Sequence, residues 1–154
     1  MPPTSENLDP LAQTKPLFEI DTPALTPQQL QRISTTALAY IGDAVYELYV
    51  RQYYLFPPQR THVYHQRVVA QVRAERQAQH LQSIEPYLTA EEKETLRRGR
   101  NAAPKGPKRL DPKVYQQATS LEALIGYLYL ADSQRLRELF DRFDFDFDDS
   151  LKNS

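Results

Sequence analysis

Long apolar stretches at helical spacing dominate the middle of the chain. Residues 34–54 are apolar over most of their length, and residues 60–85 form one amphipathic pattern. The apolar positions of that second pattern include Val63, Val68, Val69, Val72 and Leu81. No segment alternates strongly enough between apolar and polar residues to indicate a strand. The pattern therefore predicts an all-α fold.

Side-chain caps and prolines mark the predicted starts of four helices. Ser, Thr and Asp accept hydrogen bonds from the free N–H groups of a first helical turn, and proline is tolerated at the first helical position. A Thr with a Glu three residues later forms a capping box. These signals stand at Thr26-Pro27, at Thr89 with Glu92, at Asp111-Pro112 and at Asp132.

The two ends of the chain differ from the middle. Six of the twelve prolines lie within the first 27 residues, which predicts a flexible leader over residues 1–25. The domain is expected over residues 26–143, followed by an acidic flexible tail over 144–154. The alternating Phe residues from Phe143 to Phe147 could dock as an extended strand, but a frayed end is the preferred interpretation.

Composition excludes several classes of protein. Cysteine is absent, so neither a disulfide framework nor a thiolate metal site can form. The N-terminus has no apolar core of a secretory signal, and no apolar run approaches the roughly 20 residues of a membrane span. We therefore expect a soluble, cytoplasmic protein with no membrane partner.

Charge is segregated along the chain although the net charge is only −1. The segment from Arg97 to Lys113 carries seven Lys or Arg and one Asp, while the segment from Asp141 to Asp149 carries five Asp and one Arg. The basic cluster can present an anion-binding face that the total charge hides.

Two apolar segments each carry an acid close to a glycine. Residues 38–51 contain Gly42 and Asp43, and residues 120–130 contain Glu122 and Gly126. Glycine inside a helix costs about 1 kcal/mol relative to alanine, so a close approach of two helices is a plausible reason for both glycines. We expect both acids to be buried and to face each other.

The chemistry of such an acid pair is open from the residues alone. Two carboxylates brought together could share one hard cation, for which oxygen is the preferred ligand. The buried charge of the two carboxylates could equally be stabilised by hydrogen bonds or by a buried arginine.

Three motifs resemble the ribonuclease III family. ALAYIGDAVYELYVR (37–51) resembles its signature helix, and ATSLEALIGYLYL (118–130) resembles its second acidic motif. RGRNA (98–102) resembles the short Mini-III subgroup, which lacks a double-stranded RNA-binding domain. The resemblance covers roughly residues 30 to 140.

This resemblance implies an endoribonuclease that cleaves double-stranded RNA, with precursor 23S ribosomal RNA as the substrate of the subgroup. It implies that Asp43 and Glu122 are catalytic and bind Mg²⁺, with Mn²⁺ as a substitute, and that the protein is a homodimer with residues 38–51 in the interface. The chain departs from full-length ribonuclease III at three positions where that family has acids: Thr36, Ala39 and Thr119. Few carboxylates remain, so the number of metals is open.

Because the subgroup lacks a double-stranded RNA-binding domain, we expect the dimer itself to hold the RNA through the basic cluster, with a solvated charged loop as the alternative interpretation of that cluster. Lys and Arg contact phosphates, and an Asn can reach a 2′-hydroxyl in the wide minor groove. The RNA-binding candidates are Arg97, Arg98, Arg100, Asn101, Lys105, Lys108 and Arg109. Supporting roles fall to Thr36, Thr119 and His65, while His62 and His65 lack a third ligand for zinc.

Two other functions compete with the nuclease. A non-catalytic RNA-binding relative would have no need of an acid pair, and a helical dimerisation adaptor would leave the basic cluster unexplained. Both therefore rank below the enzyme.

Overall fold

The computed structural model describes residues 24–145, and these residues form an all-α domain. Seven α-helices follow one another in the described chain, with a short 3₁₀ turn at Glu85–Tyr87 between the fourth and the fifth. They are α1 (Pro27–Gln31), α2 (Thr35–Tyr53), α3 (Thr61–Val72), α4 (Ala74–Ile84), α5 (Ala90–Ala102), α6 (Pro112–Ala131) and α7 (Ser133–Phe140). No strand occurs between residues 24 and 145, which confirms the predicted fold class.

The predicted caps begin the helices as expected. The hydroxyl oxygen of Thr26 accepts from the backbone N–H of Gln29, and Thr89 and Glu92 complete a capping box at the start of α5. The carboxylates of Asp111 and Asp132 cap α6 and α7 in the same way. Local hydrogen bonding therefore fixes where these helices start.

Residues 60–85 are two helices rather than the single helix that their pattern predicts. Arg73 has an extended backbone, with ψ of 155°, and it separates α3 from α4. The side chain of Gln77 donates from Nε2 to the carbonyl of Val72 at 2.9 Å, and the Arg73 side chain donates to the carbonyl of Ala70 at 3.2 Å. Side chains thus take over carbonyls that the break leaves without helical partners.

Helix α6 is the centre of the domain. It packs along α2, α4 and α5, and eight of its residues are buried. The core contains α2 side chains such as Tyr46 and Val50 and α7 side chains such as Leu136 and Phe140, all at most 2% exposed. The two long apolar helices of the sequence therefore lie against each other inside one core.

The chain beyond α7 returns to the core. Phe143 and Phe145 are buried, and their rings pack around His80. The backbone carbonyl of Phe145 accepts hydrogen bonds from the Tyr54 hydroxyl and from Gln71 Nε2. The prediction of a flexible tail from residue 144 is wrong for Phe145, because its ring fills an aromatic cluster that the pattern did not reveal. Residues 1–23 and 146–154, which hold nearly all of the expected leader and tail, lie outside the described residues.

None of the helices between residues 24 and 145 is long and apolar enough to cross a membrane.

Candidate functional site

Two glycines let α2 and α6 cross with their backbones in contact. A Cβ atom built on Gly42 would overlap the backbone carbonyl of Glu122, and one built on Gly126 would overlap the carbonyl of Leu38. No other residue type fits either position without moving a helix. The close approach predicted from these glycines is confirmed, and it places Asp43 and Glu122 beside the crossing.

A pocket of about 190 Å³ opens next to this crossing. Helical periodicity explains its walls, since residues three, four and seven apart share one face of a helix. Thr36, Ala39 and Asp43 come from α2, and Tyr115, Thr119 and Glu122 come from α6. The remaining lining residues are Thr35, Tyr40, Gly99, Ala102 and Pro104. The structure therefore brings together four of the predicted site residues: Thr36, Asp43, Thr119 and Glu122.

The two acids differ in exposure. Glu122 is partly buried, whereas Asp43 is exposed in the single chain, so the expectation that both acids are buried is wrong for Asp43. The reason is that α2 buries only the face that carries Leu38, Gly42 and Val45. Asp43 lies at the edge of that face, at the mouth of the pocket.

Both carboxyl groups hold protons more tightly than isolated acids do. Burial raises the pKa of Glu122 to about 7, the negative charge of Asp43 adds to the rise, and a hydrogen bond from the Gln77 side chain opposes it. Burial and then the charge of Glu47 raise the pKa of Asp43. An arrangement that disfavours two negative charges is one that a cation would stabilise.

The donors suit a magnesium ion better than a softer metal. Among residues 24–145 no group of three or more His, Cys, Asp or Glu side chains could enclose a metal. Mg²⁺ keeps several of its waters and is commonly held by one or two carboxylates. Asp43 and Glu122, with the hydroxyls of Thr36 and Thr119 in the same pocket, fit that requirement.

A family model described as the ribonuclease III domain matches residues 36–133, which span α2 to the start of α7 and contain both acids. The chain belongs to the ribonuclease III family. It is an endoribonuclease, which sets aside the non-catalytic RNA-binding protein and the dimerisation adaptor.

Comparison with related proteins identifies the subgroup of the family to which the chain belongs. The chain is 55% identical over 124 residues to a Mini-ribonuclease 3 of Synechocystis sp., covering 80% of this chain and 87% of that one. It is 51% identical to a Mini-ribonuclease 3 of Thermosynechococcus vestitus, covering 80% of both chains. A crystal structure of a protein from Fusobacterium nucleatum is similar at a TM-score of 0.67 and 30% identity, covering 72% of this chain and 93% of that one. The predicted membership of the Mini-III subgroup is confirmed.

Glu92 is an acid of this ribonuclease III domain with a structural role, and it differs from Glu122 in its surroundings. Glu92 is buried and accepts two hydrogen bonds from the guanidinium of Arg135, at 2.9 and 3.0 Å. Burial by itself would raise the pKa of Glu92, but hydrogen bonds from Arg135 and Thr89 outweigh it and lower the pKa. Between residues 24 and 145 no cation forms such a pair with Glu122, and the pKa of Glu122 moves in the opposite direction.

The seven RNA-binding candidates are exposed, and none of them lines the pocket, although their segment contributes one of its walls. Gly99, Ala102 and Pro104 form that wall, so their neighbours Arg100, Asn101 and Lys105 flank it. Arg97 and Arg98 are both paired with Glu94, which reduces the positive charge at that end of the cluster. Lys108 and Arg109 belong to the loop between α5 and α6.

The histidines do not join the site. His62 and His65 are exposed on α3, and neither lines the pocket, so the supporting role of His65 stays a prediction. The third histidine, His80, is buried in the aromatic cluster, and burial followed by the charge of Arg76 lowers its pKa to about 3. It is a neutral packing residue.

The sequence reading missed Tyr40 and Tyr115 as pocket residues. Tyr115 lies four residues before Thr119 and seven before Glu122, and Tyr40 lies three before Asp43. The helical spacing from each acid would have identified both.

Proposed function

We propose that this chain is a magnesium-dependent endoribonuclease that cleaves double-stranded RNA, with precursor 23S ribosomal RNA in the cytoplasm as its substrate. The observation that supports this most is the meeting of Asp43 and Glu122 in one pocket of a ribonuclease III domain. Mn²⁺ is expected to replace Mg²⁺, because both are hard cations that accept carboxylate and water ligands.

The residues of the pocket have separate tasks in this proposal. Asp43 and Glu122 hold the cation, and the hydroxyls of Thr36 and Thr119 orient its water shell. The chemistry that the cation supplies is activation of water for attack on phosphorus and stabilisation of the leaving oxygen. Thr119 donates its proton to the carbonyl of Tyr115 at 3.0 Å, so its oxygen lone pairs remain acceptors that can order a water.

A cleavage assay tests the substrate and the metal together. Precursor 23S ribosomal RNA ends, a synthetic duplex and the corresponding single strand are incubated with increasing Mg²⁺ or Mn²⁺. We expect cuts in both paired substrates, none in the single strand, and none after chelation of the metal. Equal cutting of the single strand would contradict the duplex preference, and cutting in chelator would contradict the metal.

In this proposal the loop after α5 contacts the phosphates of a duplex that lies over the pocket. A Cβ atom on Gly106 would come within 2.6 Å of the Tyr115 ring, so the loop backbone packs directly on a pocket residue. The exposed side chains of Lys105, Lys108 and Arg109 extend from this anchored backbone. Electrostatic contacts of this kind contribute affinity that falls with salt.

Replacing Lys105, Lys108 and Arg109 together with alanine is expected to weaken duplex binding and to flatten its salt dependence. Each phosphate contact that is lost lowers the slope of log affinity against log salt by about 1, because fewer counterions are released. The measurement is binding at several salt concentrations. Lys93→Ala, which removes one exposed cation on α5 outside the basic cluster, is the control and should leave the slope unchanged. An unchanged slope with unchanged affinity would leave the loop with no role in binding.

We also propose that the protein is a homodimer through the exposed face of α2. Tyr40 is 85% exposed, and Ala44 and Leu48 follow it at helical spacing, with Leu55 and Phe56 just beyond the helix. An apolar stripe of this kind matches itself across a two-fold axis and would also cover the exposed side of Asp43. Sedimentation at micromolar concentration tests this, and a monomer there would contradict it.

A further inference from the structure

Tyr115 lies between the pocket and the loop that joins α5 to α6. It belongs to the beginning of α6, where its backbone N–H donates to the carbonyl of the capping residue Asp111 at 3.1 Å. Its side chain is half-buried and lines the pocket together with Asp43 and Glu122. The start of α6 therefore holds an aromatic ring at the edge of the pocket.

The ring of Tyr115 also packs on the backbone of the loop. A Cβ atom built on Gly106 would come within 2.6 Å of Cγ and 2.8 Å of Cδ1 of the ring, closer than carbon atoms approach in folded proteins. Gly106 does not have a positive φ, so its backbone conformation does not require a glycine. The contact with the ring is what excludes a side chain at this position.

The loop has an inner side that packs and an outer side that carries charge. Gly106 and Leu110 are half-buried, and the N–H of Leu110 donates to the carbonyl of Pro107 at 3.1 Å. Pro104 and Pro107 stiffen the backbone on either side of Gly106, because the proline ring fixes φ. The exposed cations of the loop are Lys105, Lys108 and Arg109.

The distance between the loop and the two acids would decide which bond of a duplex is cut. In the proposed function the loop holds some phosphates of the substrate, while cleavage takes place at another phosphate, beside Asp43 and Glu122. Successive phosphates of a strand are only about 3 Å apart along the axis of a duplex. A loop displaced by that distance would bring a neighbouring phosphodiester to the acids.

We propose that Tyr115 is a positioning residue: its ring, packed on Gly106, holds the basic loop at a fixed distance from Asp43 and Glu122 and so determines which phosphodiester is cleaved. This inference rests on the proposed function, because it requires that the loop contacts RNA and that the pocket cleaves it. The ring atoms nearest to the loop are all carbon. The ring, and not the hydroxyl group, makes the contact.

The test maps the cuts in a synthetic duplex, labelled at the 5′ end of one strand, at single-nucleotide resolution. The variants are Tyr115→Leu, Tyr115→Phe and Gly106→Ala, with Tyr127→Leu as the matched control. Tyr127 is also half-buried on α6, but it lines a different cavity, next to α1. Gly106→Ala alters the contact from the side of the loop and keeps every side chain of the pocket, so it decides the question if Tyr115→Leu does not fold.

Tyr115→Leu is expected to spread the cuts over neighbouring positions. It should lower kcat/KM at the wild-type position by about 10- to 100-fold, because a misplacement of about 1 Å can cost a factor of that order. Gly106→Ala should have the same effect, since its methyl group separates the loop from the ring. Tyr115→Phe keeps the ring and should keep the wild-type cut positions.

The response to Mg²⁺ is the second measurement. The melting temperature of each variant is followed with increasing Mg²⁺ in the absence of RNA. The midpoint of this rise should be the same in the wild type and in all variants, because Asp43 and Glu122 remain in place. A midpoint shifted in Tyr115→Leu would assign its effect to the metal site and would overturn the role in positioning the loop.

The cut positions distinguish failure of this inference from failure of the proposed function. Wild-type cut positions in both Tyr115→Leu and Gly106→Ala would overturn the role of Tyr115 and leave the proposed function intact. Cuts spread as widely in Tyr127→Leu as in Tyr115→Leu would also overturn it, because loss of packing alone would then explain them. A wild type that cuts no duplex in Mg²⁺ would overturn the proposed function and this inference together.

Discussion

Replacing either carboxylate of the pocket by its amide, as Asp43→Asn or Glu122→Gln, is expected to lower kcat for duplex cleavage on the order of 10³-fold or more. Each change keeps the shape of the side chain but removes a negative charge that, in the proposed function, holds the cation. Several kcal/mol of transition-state stabilisation correspond to about that factor. The measurement is single-turnover cleavage at saturating Mg²⁺. Full activity of both variants would contradict the proposed site.

The matched control is Glu92→Gln. It removes the charge of an acid that pairs with Arg135 and does not line the pocket. It is expected to lower the melting temperature, because Arg135 loses its principal partner, and to leave kcat per folded molecule unchanged. Replacement of a structural acid should thus lower the melting temperature and leave kcat unchanged, whereas replacement of a metal-binding acid should lower kcat without lowering the melting temperature.

Stability in the absence of metal gives a second test of Glu122. Its pKa is about 7 in the folded protein against an ordinary value of 4.5, so the folded state binds the proton more tightly than the unfolded state. The contribution of Glu122 to the stability of the wild type therefore falls as the pH rises from about 4.5 to about 7. Glu122→Gln should melt a few degrees higher than the wild type at pH 8, and the difference should vanish near pH 4.5. A difference independent of pH would contradict the burial of this charge.

Gly42→Ala is expected to destabilise the domain by about 3 kcal/mol or more and to lower its melting temperature on the order of 10 °C. Alanine in a helix normally gains about 1 kcal/mol over glycine, but the added Cβ would occupy the space of the Glu122 carbonyl, and backbone cannot rotate away as a side chain can. Separation of α2 from α6 would also widen the pocket, so cleavage should fall with stability. Gly42→Leu should show both effects more strongly.

Thermal melting of Gly42→Ala beside Gln66→Ala checks this prediction. Gln66 lies on α3 with its side chain exposed, so its replacement by alanine should change the free energy of unfolding by less than about 0.5 kcal/mol. A melting temperature of Gly42→Ala equal to that of the wild type would contradict the tight packing of α2 against α6.

The features that the sequence predicts well depend on local chemistry. Caps such as Thr26 and Asp111 act on the next three residues, so they are visible without knowledge of the fold. The crossing of α2 and α6 was predictable for a related reason. Glycine destabilises a helix interior, so the presence of Gly42 and Gly126 indicated that two helices pack closely at these positions.

The features that the sequence does not predict depend on distant partners. The helix break at Arg73 has neither proline nor glycine, and it is stabilised by side chains that reach back to Val72 and Ala70. The burial of Asp43 was overestimated, because an apolar helix does not reveal which of its faces the same chain covers. Pairing of Glu92 with Arg135 joins residues 43 positions apart, which no local pattern contains.

The return of the chain beyond α7 to the core has a consequence for the order of events during folding. The Tyr54 hydroxyl and Gln71 Nε2, from the first half of the domain, both donate hydrogen bonds to the Phe145 carbonyl. Contacts between residues so far apart in sequence form late in folding, because a long loop must close first. The aromatic cluster around His80 is therefore expected to be among the last parts of the core to close.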